Sequence, residues 1–167
     1  LGMANPRILK TITMNIIELK ERQDISENIK LSRKYAQLGN FLKELKKKEL
    51  PLTIIESVNN DIEAINGIPR TEFDLTISVT QTQRKIIKLV EKELKIVPKN
   101  YYRNLWTTLG MSVFGLPIGA ALGLSFGNMG LIGIGFPLGM SVGIAVGSQM
   151  DKKAFEEGRQ LDIEIKN

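Results

Sequence analysis

The chain contains no cysteine and no histidine. The lack of cysteine excludes disulfides, zinc–thiolate sites, thiol nucleophiles and an acylated lipoprotein anchor. The lack of histidine removes the commonest general base near neutral pH and the commonest transition-metal ligand. We therefore expect that the protein is not an enzyme, and we predict no catalytic, cofactor or metal site.

Charge is also missing, from 47 consecutive residues between Asn104 and Met150. A bilayer core about 30 Å thick needs roughly 20 apolar residues per helix, so this stretch is long enough to cross a membrane twice. We predict spans near Leu105–Gly127 and Met129–Met150. The turn between them is predicted at Gly127-Asn128-Met129-Gly130, because Asn and Gly tolerate left-handed backbone angles.

Glycine recurs every fourth residue in both predicted spans, at Gly115, Gly119, Gly123, Gly127, Gly135, Gly139, Gly143 and Gly147. The two sets form an internal repeat, and Pro117 and Pro137 occupy matching positions where they should bend the helices. A spacing of four places the glycines on one helix face, so a second helix can approach until the backbones touch. In water each mid-helix glycine costs about 0.5–1 kcal/mol relative to alanine, so this composition favours a membrane.

Residues 105–150 resemble the glycine-zipper two-helix membrane domains that are common in bacterial proteins. The resemblance implies an architecture and no particular activity. Many such proteins are envelope lipoproteins with a signal peptide and an acylated cysteine. We expect neither feature here, because cysteine is absent and polar residues interrupt the first apolar segment, Ile8 to Leu19.

The charged flanks predict the orientation. Residues 1–103 carry 19 basic and 13 acidic side chains, residues 151–167 carry four and five, and the whole chain has a net charge of +5. Lysine or arginine precedes the first span at Lys95, Lys99 and Arg103 and follows the second at Lys152 and Lys153. The protein is predicted to lie in a bacterial inner membrane. Since basic flanks stay cytoplasmic, both termini are predicted on the cytoplasmic side of that membrane. The predicted membrane interface comprises three basic residues, Arg103, Lys152 and Lys153. It also contains an aromatic anchor formed by Tyr101, Tyr102 and Trp106.

The fold class is predicted as all-α, with a small N-terminal amphipathic helical domain and a two-helix transmembrane hairpin that assembles as a homo-oligomer. Leu1-Gly2 is interpreted as a tag remnant and residues 3–99 as a cytosolic helical domain. The hairpin is assigned to residues 100–150, and residues 151–167 are expected to form a charged cytosolic tail.

Three amphipathic helices are predicted before residue 70. The first covers Arg7 to about Arg22, where apolar residues recur at helical spacing. The second follows a cap at Asp24 or Ser26, and its apolar side comprises Ile29, Tyr35, Leu38, Leu42 and Leu45. The third ends at Gly67-Ile68-Pro69, and its inward face comprises Ile54, Ile55, Val58, Ile62 and Ile65.

Residues 71–97 fit two patterns. Alternation of Phe73, Leu75, Ile77 and Val79 with polar residues indicates a strand. A helix instead places Leu75 and Val79 on one face with Ile86, Val90, Leu94 and Val97. No partner strand is apparent in the sequence, and an unpaired strand leaves backbone groups unsatisfied. We therefore predict one long helix ending before Pro98, with the strand as the alternative over residues 71–83.

Three arrangements would use the glycine faces. Each hairpin could simply close on itself, hairpins could also pack against one another, or a soluble bundle could hold the hairpin until insertion. The second is favoured, because two four-glycine faces offer more surface than an antiparallel contact with a single crossing point uses.

Polar residues leave two further alternatives open. Lys43, Lys46, Lys47 and Lys48 form either a solvated helix end or a contact for an anionic ligand or lipid headgroup. Hydroxyl groups in the spans either line a polar path or hydrogen-bond their own helix. These residues are Thr107, Thr108, Ser112, Ser125 and Ser141.

Two functions of different classes follow, and the first is favoured. The first is a homo-oligomeric channel or pore-forming effector that the cytosolic domain controls. Its excess of positive charge favours anions at the cytoplasmic mouth. Such a pore suits a bacterial effector that depolarises its own host, as in defence against phage. The second is a non-conducting membrane anchor or scaffold, which presents a helical module to a partner protein or an anionic regulatory ligand.

Overall fold

A computed structural model describes residues 15–22, 25, 28–68 and 72–166. The chain divides into two compact units, Leu1–Lys95 and Ile96–Asn167. Among the described residues there are five helices and one small sheet, so the predicted all-α class with an apolar helical hairpin is confirmed.

The first unit contains α1 (Ile29–Lys46), α2 (Leu52–Asn66) and α3 (Glu72–Leu94), and α3 packs against both of the others. Its core is a set of apolar side chains from all three helices. The largest of those that are fully buried are Leu31, Leu38, Phe41, Leu45, Val58, Ile62, Ile65, Leu75, Val79, Ile86 and Val90.

Helix α1 begins four residues later than a cap at Asp24 implies and two residues later than a cap at Ser26 implies. Asn28 is the N-cap, and its side-chain oxygen accepts a hydrogen bond from the N–H of Leu31 at 3.0 Å. The predicted caps, Asp24 and Ser26, lie outside the described residues. With this start Ile29 falls on the outer side and is 73% exposed, so its predicted place on the inner face is wrong.

Helix α2 follows the sequence pattern closely. All five residues predicted to face inward are buried: Ile54, Ile55, Val58, Ile62 and Ile65. The helix ends at Asn66, and Gly67 forms its C-cap, as the Gly67-Ile68 stop signal predicted. Pro69 lies outside the described residues.

Helix α3 confirms the predicted long helix from Glu72 onward, so residues 72–83 are helical and do not form the alternative strand. Residue 71 lies outside the described residues. Leu75 and Val79 are buried, whereas Ile77, which a strand would place on the same face, is 40% exposed. A helix lets Leu75 and Val79 join Ile86 and Val90 in the core. The helix ends at Leu94, and Val97 belongs to the strand that follows.

The predicted first helix, Arg7 to Arg22, is wrong over its described part. Residues 15–22 are not helical, and their backbone bonds instead to two asparagine side chains of α2. Asn59 accepts from the N–H of Ile17 at 2.9 Å and donates to the carbonyl of Asn15 at 3.1 Å. Asn66 makes the same two bonds with Lys20 and Glu18, at 2.9 and 3.1 Å. Because the partners of these backbone groups lie on another helix, amphipathic spacing did not produce a helix here. Residues 7–14 lie outside the described residues.

The second unit is a hairpin of α4 (Tyr101–Ser125) and α5 (Ile132–Glu156). Within α4, the segment Met111–Gly115 is a π-helical turn, and α5 is preceded by a short 3-10 helix, Met129–Leu131. Both helices are long and apolar enough to cross a membrane, by length and composition. They extend beyond the predicted spans, which began at Leu105 and ended at Met150.

The stretch predicted as a charged tail is ordered. Residues 151–156 complete α5, and Gly158, with φ +68°, reverses the chain so that the N–H of Arg159 bonds to the carbonyl of Ala154 at 2.8 Å. Strand β2 (Gln160–Glu164) then pairs in parallel with β1 (Val97–Lys99). Two such short, distant segments carry no pattern that identifies them as partners, and the sequence prediction therefore missed this sheet.

Candidate functional site

Glycine alone forms the buried face of the hairpin. Between residues 104 and 150 the eight buried residues are all glycines. They include seven of the eight predicted helix-packing residues: Gly115, Gly119, Gly123, Gly135, Gly139, Gly143 and Gly147. The eighth predicted residue, Gly127, lies in the turn, where its φ of +62° requires a residue without a side chain. The remaining buried glycine is Gly110.

The two helices touch backbone to backbone along most of their length. A Cβ atom on Gly115 would lie 2.9 Å from the carbonyl oxygen of Gly135, and one on Gly147 would lie 2.5 Å from the Cα of Arg103. On Gly139 it would overlap the backbone of Gly110, and on Gly119 that of Ile132. No side chain larger than hydrogen fits at these positions without moving a helix.

Both glycine faces are therefore used inside a single hairpin. The sequence predicts that one antiparallel contact cannot use two four-glycine faces, because the helices would cross at one point. The contact instead runs from Gly147 beside Arg103 to Gly119 beside Ile132. Among the glycines inside α5, Gly133 has open space where a Cβ would lie. The glycines thus give no separate support to packing between hairpins.

The π-turn explains why Gly110 belongs to the contact. Gly110 precedes Gly115 by five residues, which breaks the four-residue period and hid it from the sequence analysis. A π-turn, Met111–Gly115, adds one residue to the helical turn, so Gly110 and Gly115 return to the same face. One sequence signal could have identified Gly110: it lies five residues before Gly115, directly ahead of the proline-containing glycine repeat.

Proline interrupts both helices near the same level of the hairpin. Pro117 lies one residue after the start of the α-helical segment that follows the π-turn, and Pro137 lies inside α5. Each proline lacks an N–H, so the carbonyls four residues earlier, in Val113 and Gly133, have no α-helical partner. Because Gly115 contacts Gly135, these two carbonyls occupy neighbouring levels.

The outer surface of the hairpin is apolar. Large apolar side chains that are at least one-third exposed include Leu105, Leu109, Val113, Phe114, Leu116, Ile118, Leu124, Ile134, Phe136, Leu138, Val142, Ile144 and Val146. Four of the predicted hydroxyl groups bond to carbonyls of their own helix: Thr107 to Arg103, Thr108 to Asn104, Ser112 to Thr108 and Ser141 to Pro137. These bonds match the alternative in which hydroxyl groups serve their own helix rather than a polar path.

A buried carboxylate joins the two helices at the base of the hairpin. Asp151 of α5 accepts hydrogen bonds from the N–H groups of Tyr102 at 3.0 Å and Arg103 at 2.9 Å. Asn100, the residue at the N-cap position of α4, has φ +59° and makes no side-chain cap bond. Asp151 therefore caps α4 from the neighbouring helix, and its charge also suits the positive end of the helix dipole. From the sequence, Asp151 is predicted to belong to the charged tail, and its capping of α4 is not predicted.

The predicted membrane-interface residues have different surroundings at this base. Tyr102 is buried with Val97 and Ala154, and Tyr101, Trp106 and Met150 pack against that cluster. Lys152 and Lys153 are exposed, with Glu156 and Glu157 one helical turn away at 3.8 and 3.9 Å. Arg103 is exposed as well. The base thus combines an aromatic cluster, one buried carboxylate and an exposed basic rim.

Two of the four predicted ligand-binding lysines line a cleft in the first unit. The cleft has a volume of about 550 Å³ and lies between residues 17–22 and α1. Lys43 and Lys46 line it, and Lys46 forms an ion pair of 3.2 Å with Glu18. Lys47 pairs with Glu44 at 2.6 Å, and Lys48 is not among the lining residues. The structure therefore brings only half of this cluster together at a concave surface.

No protein-family model, no curated protein and no solved structure matches this chain.

Proposed function

We propose that this chain is a two-span protein of the bacterial inner membrane, whose hairpin anchors a helical binding unit on the cytoplasmic surface. The observation that carries the proposal is the inverted packing of the hairpin. Its interior consists of glycine, and its large apolar side chains point outward.

Water would disfavour this arrangement. A soluble helical hairpin buries its large apolar side chains and exposes polar ones. Here the apolar surface is exposed, and burying it in lipid contributes roughly 25 cal/mol for each Å² removed from water. The eight buried glycines also favour an unfolded backbone in water, whereas lipid penalises any unpaired backbone group.

The charged residues at the base set the proposed orientation. Lys99, Arg103, Lys152 and Lys153 all lie at the end of the hairpin opposite to the turn. Basic residues next to short spans are retained on the cytoplasmic side. Both ends of the hairpin, and with them the first unit, would therefore be cytoplasmic.

The anchor is preferred to a channel because of how the polar groups are used. The glycines close the hairpin on itself, and four hydroxyl groups are bonded to their own helices. Neither feature supplies a water-lined path. The cleft beside Lys43 and Lys46 is the concave surface at which the first unit would take an anionic regulatory ligand or a partner protein.

Labelling of single cysteines tests the span. The chain has no native cysteine, so Leu138→Cys on the outer surface of α5 and Lys152→Cys at its base each give one reporter. In intact membranes a water-soluble maleimide is expected to label Lys152→Cys and not Leu138→Cys. Equal labelling of the two would contradict a membrane-embedded hairpin.

A homo-oligomeric pore is the second candidate, and the proline level favours it. The carbonyls of Val113 and Gly133 lack α-helical partners and lie on neighbouring levels of the hairpin. Transporters and channels line their pathways with such interrupted helices. Several hairpins around one axis could form a narrow, hydrophobically gated pore. In that case an anion preference would follow from its positive cytoplasmic charge. A small pore controlled by the first unit would suit a host-depolarising defence effector.

Mass and conductance separate the two candidates. An anchor is expected to be a monomer in detergent and silent in planar bilayers. A pore is expected to form a closed oligomer of one defined mass and to conduct. Conductance by a homogeneous oligomer would replace the anchor with the pore.

A further inference from the structure

The end of the hairpin opposite to the base, residues 126–131, has no charged side chain. We call this segment the tip. Phe126 and Met129 are its most exposed large side chains, at 72% and 63%, and Leu124 beside it is 71% exposed. Asn128 is its single polar side chain. The surface of the tip is therefore apolar.

Most N–H groups of the tip are also hydrogen-bonded within the hairpin. Three N–H groups donate to carbonyls of the last turn of α4: Phe126 to Leu122 at 3.1 Å, Gly127 to Leu124 at 3.4 Å and Asn128 to Gly123 at 3.0 Å. The N–H of Leu131 donates to the carbonyl of Asn128 at 3.0 Å. The N–H of Gly130 donates to the side-chain oxygen of Asn128, also at 3.0 Å. The one polar side chain thus serves the backbone of the tip.

Connecting segments do not normally enter hydrocarbon, for two physical reasons. Their backbone N–H and carbonyl groups lose water without gaining a partner, and their charged side chains lose hydration. The tip avoids most of both penalties. From Asn104 to Met150 there is no charge to carry across, and the hydroxyl groups of Thr107, Thr108, Ser112 and Ser141 are already bonded.

We propose that the hairpin inserts itself, with its tip crossing an unassisted lipid bilayer as a closed unit. Insertion has one direction, because the charges of Arg103, Lys152 and Lys153 hold the base on the side where the chain was made. The activity extends the proposed function and depends on the hairpin being a membrane span. It makes the lipid bilayer itself the partner of the tip.

Cell-free synthesis with protein-free vesicles tests this activity. Full-length chain with Phe126→Cys as its only cysteine is synthesised by purified components in the presence of phosphatidylcholine–phosphatidylglycerol vesicles. A membrane-impermeant maleimide is supplied either outside the vesicles or encapsulated within them. The tip cysteine is expected to react with the encapsulated reagent only, and a Lys152→Cys chain with the external reagent only.

Charge variants show whether the tip determines crossing. Met129→Lys, in the Phe126→Cys chain, adds one charge to the leading end and is expected to lower internal labelling about tenfold or more. Met129 is 63% exposed, so a lysine or leucine side chain can be accommodated there and the turn is kept. Met129→Leu leaves the tip neutral, and Asn104→Lys adds the same charge at the base. Both are expected to label as the parent chain does.

The outcomes distinguish this proposal from the one on which it rests. Equal crossing by Met129→Lys and Met129→Leu would overturn the role of the neutral tip, although the hairpin would still insert unassisted. Self-insertion is overturned if the tip cysteine reacts from outside or reacts with neither reagent. If the tip then reaches the far side in membranes that contain a secretion machinery, the two-span anchor survives. A chain that enters neither kind of membrane contradicts both.

Discussion

Single atoms decide how closely the two helices of the hairpin approach. At Gly139 the hydrogen that stands in place of a side chain faces the backbone of Gly110, whereas at Gly133 the same hydrogen faces open space. The two glycines lie six residues apart in one helix and differ chiefly in this respect. They provide a matched pair for testing the contact.

Gly139→Ala is expected to destabilise the hairpin, and Gly133→Ala is not. The methyl group at residue 139 overlaps a backbone that cannot move aside, which costs about 1–3 kcal/mol of unfolding free energy. Unfolding in mixed detergent micelles, followed by helical circular dichroism, measures the difference. Equal stability of the two variants would show that the helices do not touch at Gly139.

Asp151→Ala is expected to lower the unfolding free energy by about 1–2 kcal/mol, because two N–H groups at the start of α4 lose their acceptor. The same micellar unfolding experiment measures it. Glu156→Ala is the control, since Glu156 lies in the same helix and only approaches Lys152 at 3.8 Å on the surface. That change should stay within about 0.5 kcal/mol. A loss no larger than that of the control would argue against the cap.

At the scale of elements, the spacing of two asparagines on α2 matches the spacing of the two amides that they bind in residues 15–22. Asn59 and Asn66 are seven residues apart on a helix, which corresponds to about 10.5 Å. The amides they bind, at Ile17 and Lys20, are three residues apart, or about 10 Å of extended chain. Each asparagine therefore meets a backbone N–H and a backbone carbonyl in register.

Asn59→Ala is expected to accelerate hydrogen exchange of the Ile17 amide about fivefold, because that N–H loses its acceptor, a bond worth roughly 1 kcal/mol. The Lys20 amide, held by Asn66, should change less. Asn60→Ala alters the exposed neighbour and serves as the control. Residue-resolved exchange by NMR distinguishes the amides. If Asn60→Ala had the same effect, the proposed register would be wrong.

At the scale of the whole molecule, each of the two units has its own buried residues. The first unit has an apolar core of α1, α2 and α3, and the second has the glycine contact with its aromatic base. Their exposed surfaces differ as well. The exposed surface of the first unit is charged, whereas that of the hairpin is apolar.

Separation of the chain between Lys95 and Ile96 is expected to give two folded pieces. Residues 3–95 should be water-soluble and helical, because the core of α1, α2 and α3 lies within them. Residues 96–167 should fractionate with membranes and resist alkaline extraction. Circular dichroism and membrane fractionation measure the two outcomes. An unfolded N-terminal piece would show that its core needs the hairpin.

Much of this architecture could be predicted from periodic patterns. The absence of charge from Asn104 to Met150, the four-residue glycine period and the apolar face of α2 each repeat along a single helix. A repeat of this kind specifies an element and its buried face without reference to the rest of the chain. The cysteine- and histidine-free composition likewise bounded the chemistry before any fold was known.

The tertiary structure alone decided the rest, because the deciding contacts join residues that are far apart in the chain. For residues 72–83 the sequence left a strand as the alternative, and the helix shares a core with α1 and α2. Residues 15–22 are not helical, because their backbone groups bond to asparagines more than 40 positions away. Gly110 joined the glycine face through a π-turn, and Asp151 became a cap for a helix that begins 50 residues earlier. No local spacing encodes such partners, so they appear only when the chain is folded.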